Sequence, residues 1–598
     1  MSTKKYSIDE FMRVSTIGAF SVSKDSSLLF YSSDDSGNYD VYSVCLETGL
    51  KKRETAFNEN ALVCHAFDNG SFLFLMDEGG NELHHLYINL EGKTEDLTPF
   101  EGSKSGFLMS VSDRLYFFSN RLDKSRFDLY CLDESTLESS LIFENKGLYD
   151  LGQVSDNGRF ISLSKQNTAN DSDMYVFDTI SNEYIHLTEH QGESHFVPVF
   201  FSKDSKELFY LSDCEGEFME LYAIDIFTKK GRKLLSFEWD IISVKRSEDG
   251  RYASLVLNRD AFAELRVFSL YSGKTIGKEM VSGGVIYQHA FATDSKSIFL
   301  LVDSAIAPAD VFKLSLEDGT LEPLTDSISS APDKDDLVMP VIRRFPSYDG
   351  MEIPGILYLP HEASPGNRVP ALIWVHGGPG GQSLPRYNPE LQFLVNHGFA
   401  IYAVNNRGSS GYGKSFFKAA DHKHGEVDLD DCVEAAVFLK TFDEIDGERI
   451  GIIGGSYGGF MVLAALAFRP TVFTVGVDIF GVSNWLRTLK EIPSWWSAIR
   501  ELLYRKIGDP FQEEEYLTSI SPLFHASKIK KPLLVLQGAN DPRVLKVESD
   551  EIVQRTRENG IDTEYVVFED EGHGFTRKAN RITAANAILR FLETHLAK

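Results

Sequence analysis

Cysteine is scarce. The chain of 598 residues holds five, at Cys45, Cys64, Cys131, Cys214 and Cys432. They lie far apart and form no C-x-x-C pair, which argues against a zinc ribbon, an iron–sulfur cluster and a disulfide framework. Positive charge is in deficit as well: 88 acidic residues face 60 Lys and Arg, giving a net charge of −28. A phosphate backbone or an anionic bilayer needs a basic patch, so neither a nucleic acid nor a membrane is expected as a partner. No run of 18 or more apolar residues occurs, and the opening Met1-Ser2-Thr3-Lys4-Lys5-Tyr6 leads into Ser7-Ile8-Asp9-Glu10-Phe11 without an apolar h-region. No membrane-spanning helix and no secretory signal are therefore expected, and the expected location is the cytoplasm. Neither metal nor cofactor is expected. What is present is ordinary for large globular cores: 42% of the chain is hydrophobic and 12% aromatic.

The first half repeats. A polar turn carrying an aspartate precedes an apolar strand-like run, as in Phe20-Ser21-Val22-Ser23-Lys24-Asp25 before Leu28-Leu29-Phe30-Tyr31. The marker recurs at Asp25, Asp68, Asp113, Asp156, Asp204, Asp249 and Asp294, at intervals of 43, 45, 43, 48, 45 and 45 residues. A second strand follows each marker, for example Val41-Tyr42-Ser43-Val44 and Leu221-Tyr222-Ala223-Ile224. Units of about 45 residues built from short strands and Gly/Asp/Asn/Ser turns suit a β-propeller with four strands per blade. One such sheet cannot bury both faces, so neighbours must stack. A pair of β-sandwiches is the alternative, and six intervals this regular weigh against it. The ring is expected over residues 16–332. The opening segment, residues 1–15, looks weakly helical around Ser7 to Val14 and is expected to pack outside the ring, on the second domain. Ser330-Ala331-Pro332 and the charged Asp333-Lys334-Asp335-Asp336 read as a linker.

Residues 333–598 have another texture. Continuous apolar runs such as Ala371-Leu372-Ile373-Trp374-Val375, Ala400-Ile401-Tyr402-Ala403-Val404, Ile450-Gly451-Ile452-Ile453 and Leu533-Leu534-Val535-Leu536 alternate with helical stretches. That pattern predicts a doubly wound, mostly parallel sheet covered on both faces. Between the Ile450–Ile453 run and the helix-like Phe460–Ala467 run lies Gly454-Gly455-Ser456-Tyr457-Gly458-Gly459, a G-x-S-x-G motif between strand and helix. Its glycines allow a tight turn that lifts the Ser456 hydroxyl above the sheet, where the helix N-terminus favours developing negative charge. A phosphate-binding turn is the competing reading. It lacks the supporting glycine and lysine spacings.

A serine hydroxyl needs a base, and the base needs an orienting carboxylate. Asp541 follows the run Leu533–Leu536, and His573 follows Tyr565-Val566-Val567-Phe568 in the Gly-flanked Gly572-His573-Gly574. Both fall at carboxyl ends of strands, in the order expected for this kind of sheet. Asp478, His422, His424 and His525 are rivals that lack this loop context. Two N–H groups should hold the oxyanion: that of Tyr457, next to the nucleophile, and that of Gly378 in His376-Gly377-Gly378-Pro379-Gly380-Gly381.

Taken together these residues resemble the prolyl oligopeptidase family of serine peptidases, in which a seven-bladed β-propeller caps an α/β-hydrolase domain. The likeness extends to Asn406-Arg407-Gly408-Ser409-Ser410-Gly411-Tyr412-Gly413, Gly425-Glu426-Val427-Asp428 and Ser521-Pro522-Leu523. It implies Ser456 as nucleophile, His573 as general base and then acid, Asp541 as its orienter, and a propeller that admits only short peptides. His376 followed by Gly377-Gly378 resembles the acylaminoacyl-peptidase branch, which uses a backbone amide where prolyl oligopeptidases proper use a tyrosine. Asp77-Glu78-Gly79-Gly80-Asn81-Glu82 lacks the adjacent glutamates of dipeptidyl peptidases and is similar to acylaminoacyl-peptidase relatives. That branch also implies Arg543 as a contact to the substrate backbone or blocked terminus, the alternative being a salt bridge that steadies the Asp541 loop. Phe480, Trp485, Trp495 and Trp496 are expected around an apolar S1 pocket, with plain core as the other reading.

The expected activity is hydrolysis of short peptides through an acyl-enzyme, in the manner of an acylaminoacyl-peptidase or oligopeptidase. A dipeptidyl aminopeptidase of the same family and a carboxylesterase with the same triad are the alternatives, and a propeller scaffold with a vestigial hydrolase is a third.

Overall fold

The computed structural model describes residues 4–327 and 332–596. Met1, Ser2 and Thr3 of the opening segment and Ser330 and Ala331 of the expected linker lie outside the described residues.

The first half forms five four-stranded antiparallel sheets and one of seven strands among the described residues. In the first sheet Ile17–Val22, Leu28–Ser33, Asp40–Cys45 and Lys51–Arg53 pair in chain order. The seven-stranded sheet is two blades joined by one long strand, Thr275–Phe291, which pairs with Phe262–Ser269 along its first part and with Ser297–Ser304 along its second. That makes seven blades. At four of the seven markers, Asp25, Asp204, Asp249 and Asp294, the aspartate closes its hairpin, while Asn69 and Asn157 do so beside Asp68 and Asp156. Asp25 Oδ1 accepts from the Ser27 N–H (2.9 Å), and Asp249 and Asp294 accept likewise from Arg251 (3.0 Å) and Lys296 (2.9 Å). Such Asx turns need a neighbour in the left-handed region, supplied by Ser26 (φ 58°), Gly250 (φ 70°) and Ser295 (φ 58°).

Each gap between blades is filled by its own apolar cluster. Phe30, Phe72 and Phe74 join the first and second blades, and Met174, Leu208 and Tyr222 join the fourth and fifth. Ile17, Phe20 and Leu29 meet Phe299, Leu301 and Val311 across the gap between first and seventh, so the ring closes by side-chain packing.

The second half is an eight-stranded sheet: β1 (Val341–Pro346), β2 (Glu352–Tyr358), β3 (Val369–Val375), β4 (Ala400–Val404), β5 (Ile445–Gly455), β6 (Gly476–Ile479), β7 (Leu533–Gly538) and β8 (Thr563–Phe568). The spatial order is β1-β2-β4-β3-β5-β6-β7-β8, with β2 antiparallel to its neighbours and β3 to β8 parallel. The helices Val427–Leu439, Tyr457–Phe468 and Lys546–Glu558 pack on one face and Pro389–Asn396 and Lys578–His595 on the other. The short helix Ile8–Phe11, closed by a Ser7/Glu10 capping box, joins that second face, where the Phe11 ring meets Phe393 edge-on at 6.0 Å. No helix among the described residues is long and apolar enough to cross a membrane.

Candidate active site

The chain turns from β5 into the helix Tyr457–Phe468 at Ser456, whose φ of 57° and ψ of −118° put a non-glycine residue in a strained region. Such strain costs on the order of 1–3 kcal/mol and persists only where the surroundings enforce it. Here they do. A Cβ on Gly454 would lie 2.6 Å from the Gly458 carbonyl, and one on Gly458 would collide with the Val375 carbonyl oxygen. The two motif glycines thus let the helix start directly against β3 and β5. The Ser456 N–H is spent on the Ile479 carbonyl (2.9 Å), which fixes the turn to β6.

The loops after β7 and β8 bring two further side chains to this turn. His573 Nε2 lies 2.9 Å from Ser456 Oγ, and His573 Nδ1 lies 2.7 Å from Asp541 Oδ2. With the proton on Nδ1, Nε2 is free to accept from the serine hydroxyl. Asp541 is buried, and its other oxygen accepts from the N–H groups of Arg543 (2.8 Å) and Val544 (2.9 Å), which hold the carboxyl in place. Phe480 packs its ring on His573 with centroids 4.8 Å apart.

A cavity of about 670 Å³ opens around Ser456 and His573. Gly378 and Tyr457 both line it. Tyr457 opens its helix, so its N–H is among the donors the helix cannot pair internally. The loop carrying Gly378 is pinned by the His376 ring, which bridges the Gly377 carbonyl (2.8 Å) and Ser409 Oγ (2.7 Å). Burial lowers the pKa of this imidazole and keeps it neutral. Phe480, Trp485, Trp496 and Arg543 also line the cavity. Trp495 does not: it points at Lys104, whose ammonium lies 5.8 Å from its ring. Trp495 and Trp496 share one turn of 3-10 helix, so the two indoles face different ways and only Trp496 meets the cavity.

The sequence names several of the following residues but not their partners. The Tyr457 hydroxyl donates to Asp428 Oδ2 in a hydrogen bond and lies 2.6 Å from His424 Nδ1, all three side chains being buried beneath the Ser456 turn. Burial and the Asp428 carboxyl hold this phenol far above its ordinary pKa, so it stays protonated and donates. Asp478, a rival for the orienting role, ends β6 fully buried under the helix, with Oδ1 accepting from the Gly481 N–H at 2.9 Å. Desolvation pushes it up to about 7. Finally, Arg543 Nε donates to Glu82 Oε1 at 2.6 Å while its guanidinium lies 5.1 Å from the Trp496 ring. Glu82 comes from the propeller, whose segment Asp77–Glu82 presses on both loops: Asn540 Nδ2 donates to the Gly79 carbonyl (3.3 Å), and a Cβ on Gly80 would come within 2.9 Å of the Gly572 nitrogen.

Comparison with known proteins agrees with this architecture. The model of the prolyl oligopeptidase family matches residues 385–598, and that of the prolyl oligopeptidase N-terminal β-propeller domain matches residues 65–327. Dipeptidyl aminopeptidase BIII of Pseudoxanthomonas mexicana is 29% identical over 552 residues, covering 88% of this chain and 78% of that protein. Among solved structures, a puromycin-hydrolyzing peptidase of Mycobacterium tuberculosis superposes with a TM-score of 0.85 at 19% identity, over 100% of this chain and 98% of its own. An acylaminoacyl peptidase of Pyrococcus horikoshii does so with a TM-score of 0.74 at 21% identity, over 100% and 98%. These last two likenesses speak for the fold. With a propeller and an α/β-hydrolase domain each matched by its own family model, and a serine on a strained strand-to-helix turn within hydrogen-bond reach of a histidine, the chain belongs to the prolyl oligopeptidase family of serine peptidases.

Proposed function

We propose that the chain cleaves short peptides through an acyl-enzyme formed on Ser456. The observation that carries this is the unbroken relay from Ser456 Oγ through His573 to Asp541, at 2.9 and 2.7 Å, inside a cavity. Ser456 Oγ attacks the scissile carbonyl carbon while His573 Nε2 takes its proton. Asp541 holds the ring and stabilises the imidazolium. The negative charge that develops on the carbonyl oxygen falls between the N–H groups of Tyr457 and Gly378, a contribution worth about 100- to 1000-fold per donor. His573 then protonates the departing amine, and a water activated by the same nitrogen releases the acyl group. Phe480, Trp485 and Trp496 offer an apolar S1 wall, and Arg543 offers its guanidinium to the substrate backbone or a blocked terminus. The propeller covers the site and limits substrate size. Five cysteines with no disulfide among the described residues suit a cytoplasmic location.

A dipeptidyl aminopeptidase mode is the second reading, and Glu82 favours it. Its Oε2 is buried without a hydrogen-bond partner, 3.8 Å from the Lys104 ammonium, where a substrate's free amine would find an acceptor. Against it, Glu82 already pairs with Arg543 and stands without an adjacent glutamate. Turnover of acyl-capped and free-amine peptidyl p-nitroanilides of increasing length separates the two. Faster cleavage of capped substrates is expected. Release of dipeptides from free-amine substrates alone would establish the second mode, and equal activity of Ser456→Ala and wild type would remove Ser456 from the mechanism in either.

A further inference from the structure

The cavity around Ser456 crosses the carboxyl edge of the sheet and has a lobe over each face. Val482, Trp485, Leu489 and Val544 wall the first and belong to the core under Tyr457–Phe468. Tyr358, Leu391 and Ala403, with Trp374 packed against them, wall the second and belong to the opposite core. The proposed acyl half of the substrate, with Trp485 in its wall, is assigned to the first, and Phe480 stands between the two against His573.

The second lobe ends at Arg386, which is exposed and lines the cavity. Its charged and polar neighbours come from the seventh blade: the Tyr287 hydroxyl and, behind it, Asp303. Asp303 Oδ2 is occupied by the Tyr287 hydroxyl (2.7 Å) and the Tyr387 N–H (3.1 Å). Burial pushes this carboxyl up to about 7, so below that pH it carries little charge to set against the guanidinium. In a chain of net charge −28, a cationic fork facing a catalytic cavity, with no ion pair of its own among the described residues, suits a ligand carboxylate.

From the scissile carbon the two halves of a peptide diverge, and the acyl half points to the first lobe. We infer that the second lobe takes the leaving half, and that Arg386 pairs with its C-terminal carboxylate. From Ser456 at the end of β5 the lobe runs past Trp374 on β3 and Ala403 on β4 to Tyr358 on β2. Three strand spacings of about 4.8 Å amount to roughly 14 Å, and an extended peptide advances about 3.3–3.6 Å per residue. Allowing for the reach of the arginine, the leaving segment is about two to four residues long, apolar next to the cut and free at its C-terminus. The inference rests on the acyl-enzyme reading above and narrows its substrates to peptides cut near their C-terminal end.

The test compares pairs of peptides of one sequence, with a three-residue leaving segment ending in a free acid or an amide, cleavage being followed by mass spectrometry. Wild type should prefer the acid by about 10- to 100-fold in kcat/KM, mostly through KM, as expected for a charge-assisted bidentate pair. Arg386→Met should bring the acid-to-amide ratio to about one, and Arg386→Lys should retain part of it. Equal rates on acid and amide by wild type overturn the inference without any variant. So does an unchanged ratio in Arg386→Met. Turnover of an acyl-amino-acid p-nitroanilide, which carries no leaving carboxylate, tests the acyl-enzyme reading separately.

Discussion

Tyr457→Phe removes one oxygen from the network under the nucleophile. Asp428 Oδ2 then loses the phenolic donor, and His424 Nδ1 keeps only that carboxyl oxygen, 3.4 Å away, in a buried site. Removing one partner of a buried hydrogen bond costs about 1–3 kcal/mol, and the variant should lower stability by about that much. The kinetic effect follows from the same residue's backbone. Its N–H is the proposed oxyanion donor, and the side chain anchors the turn that aims it. Losing such a donor costs about 100- to 1000-fold; misaiming it should cost a fraction of that, about 10- to 50-fold in kcat with KM little changed. Urea unfolding and steady-state kinetics on one peptidyl p-nitroanilide measure both. If stability falls as expected while kcat stays within twofold of wild type, the anchor supports the core and has no part in orienting the amide.

Asp541→Asn keeps the shape of the carboxyl and loses the acceptor that selects the His573 tautomer; kcat should fall on the order of 10³- to 10⁴-fold, and a loss under tenfold would contradict its role. Asp478→Asn tests the buried acid. With a folded pKa of about 7, this group keeps a proton that the unfolded chain releases near pH 4, so wild-type stability falls as pH climbs through that window. Between pH 5 and pH 8 the stability difference between wild type and variant should swing against wild type by about 2–3 kcal/mol in urea unfolding. A pH-independent difference would show that the group ionises freely in the folded state.

Much of this was legible in the sequence because it is written locally. The propeller repeat shows because most of its hairpins place an Asx acceptor and a left-handed residue at a fixed position, as at Asp25 and Ser26. The Ser456 turn shows because two backbone approaches admit glycine alone at 454 and 458. Pairings across long separations leave no such local mark. Arg543 and Glu82 are 461 positions apart, and neither neighbourhood names the other. Tyr457 lies 29 and 33 positions from Asp428 and His424, on a different helix, and only the packing of the two elements brings them together. Trp495 and Trp496 show the limit at its finest: identical neighbours on one turn, told apart only by which way that turn faces.

The blades are not joined alike. The sixth and seventh share one continuous strand and its ladders, whereas the first meets the seventh through apolar contact and a few side-chain bonds, Gln288 to both backbone groups of Phe20 and Thr293 to the Lys24 carbonyl. A thermal fluctuation that parts the ring therefore has a preferred place to do so. Amide exchange should report it as early labelling along Ile17–Val22 while Phe262–Ser269 stays protected, so that the propeller breathes as a C-shaped clasp with one hinge-stiff side.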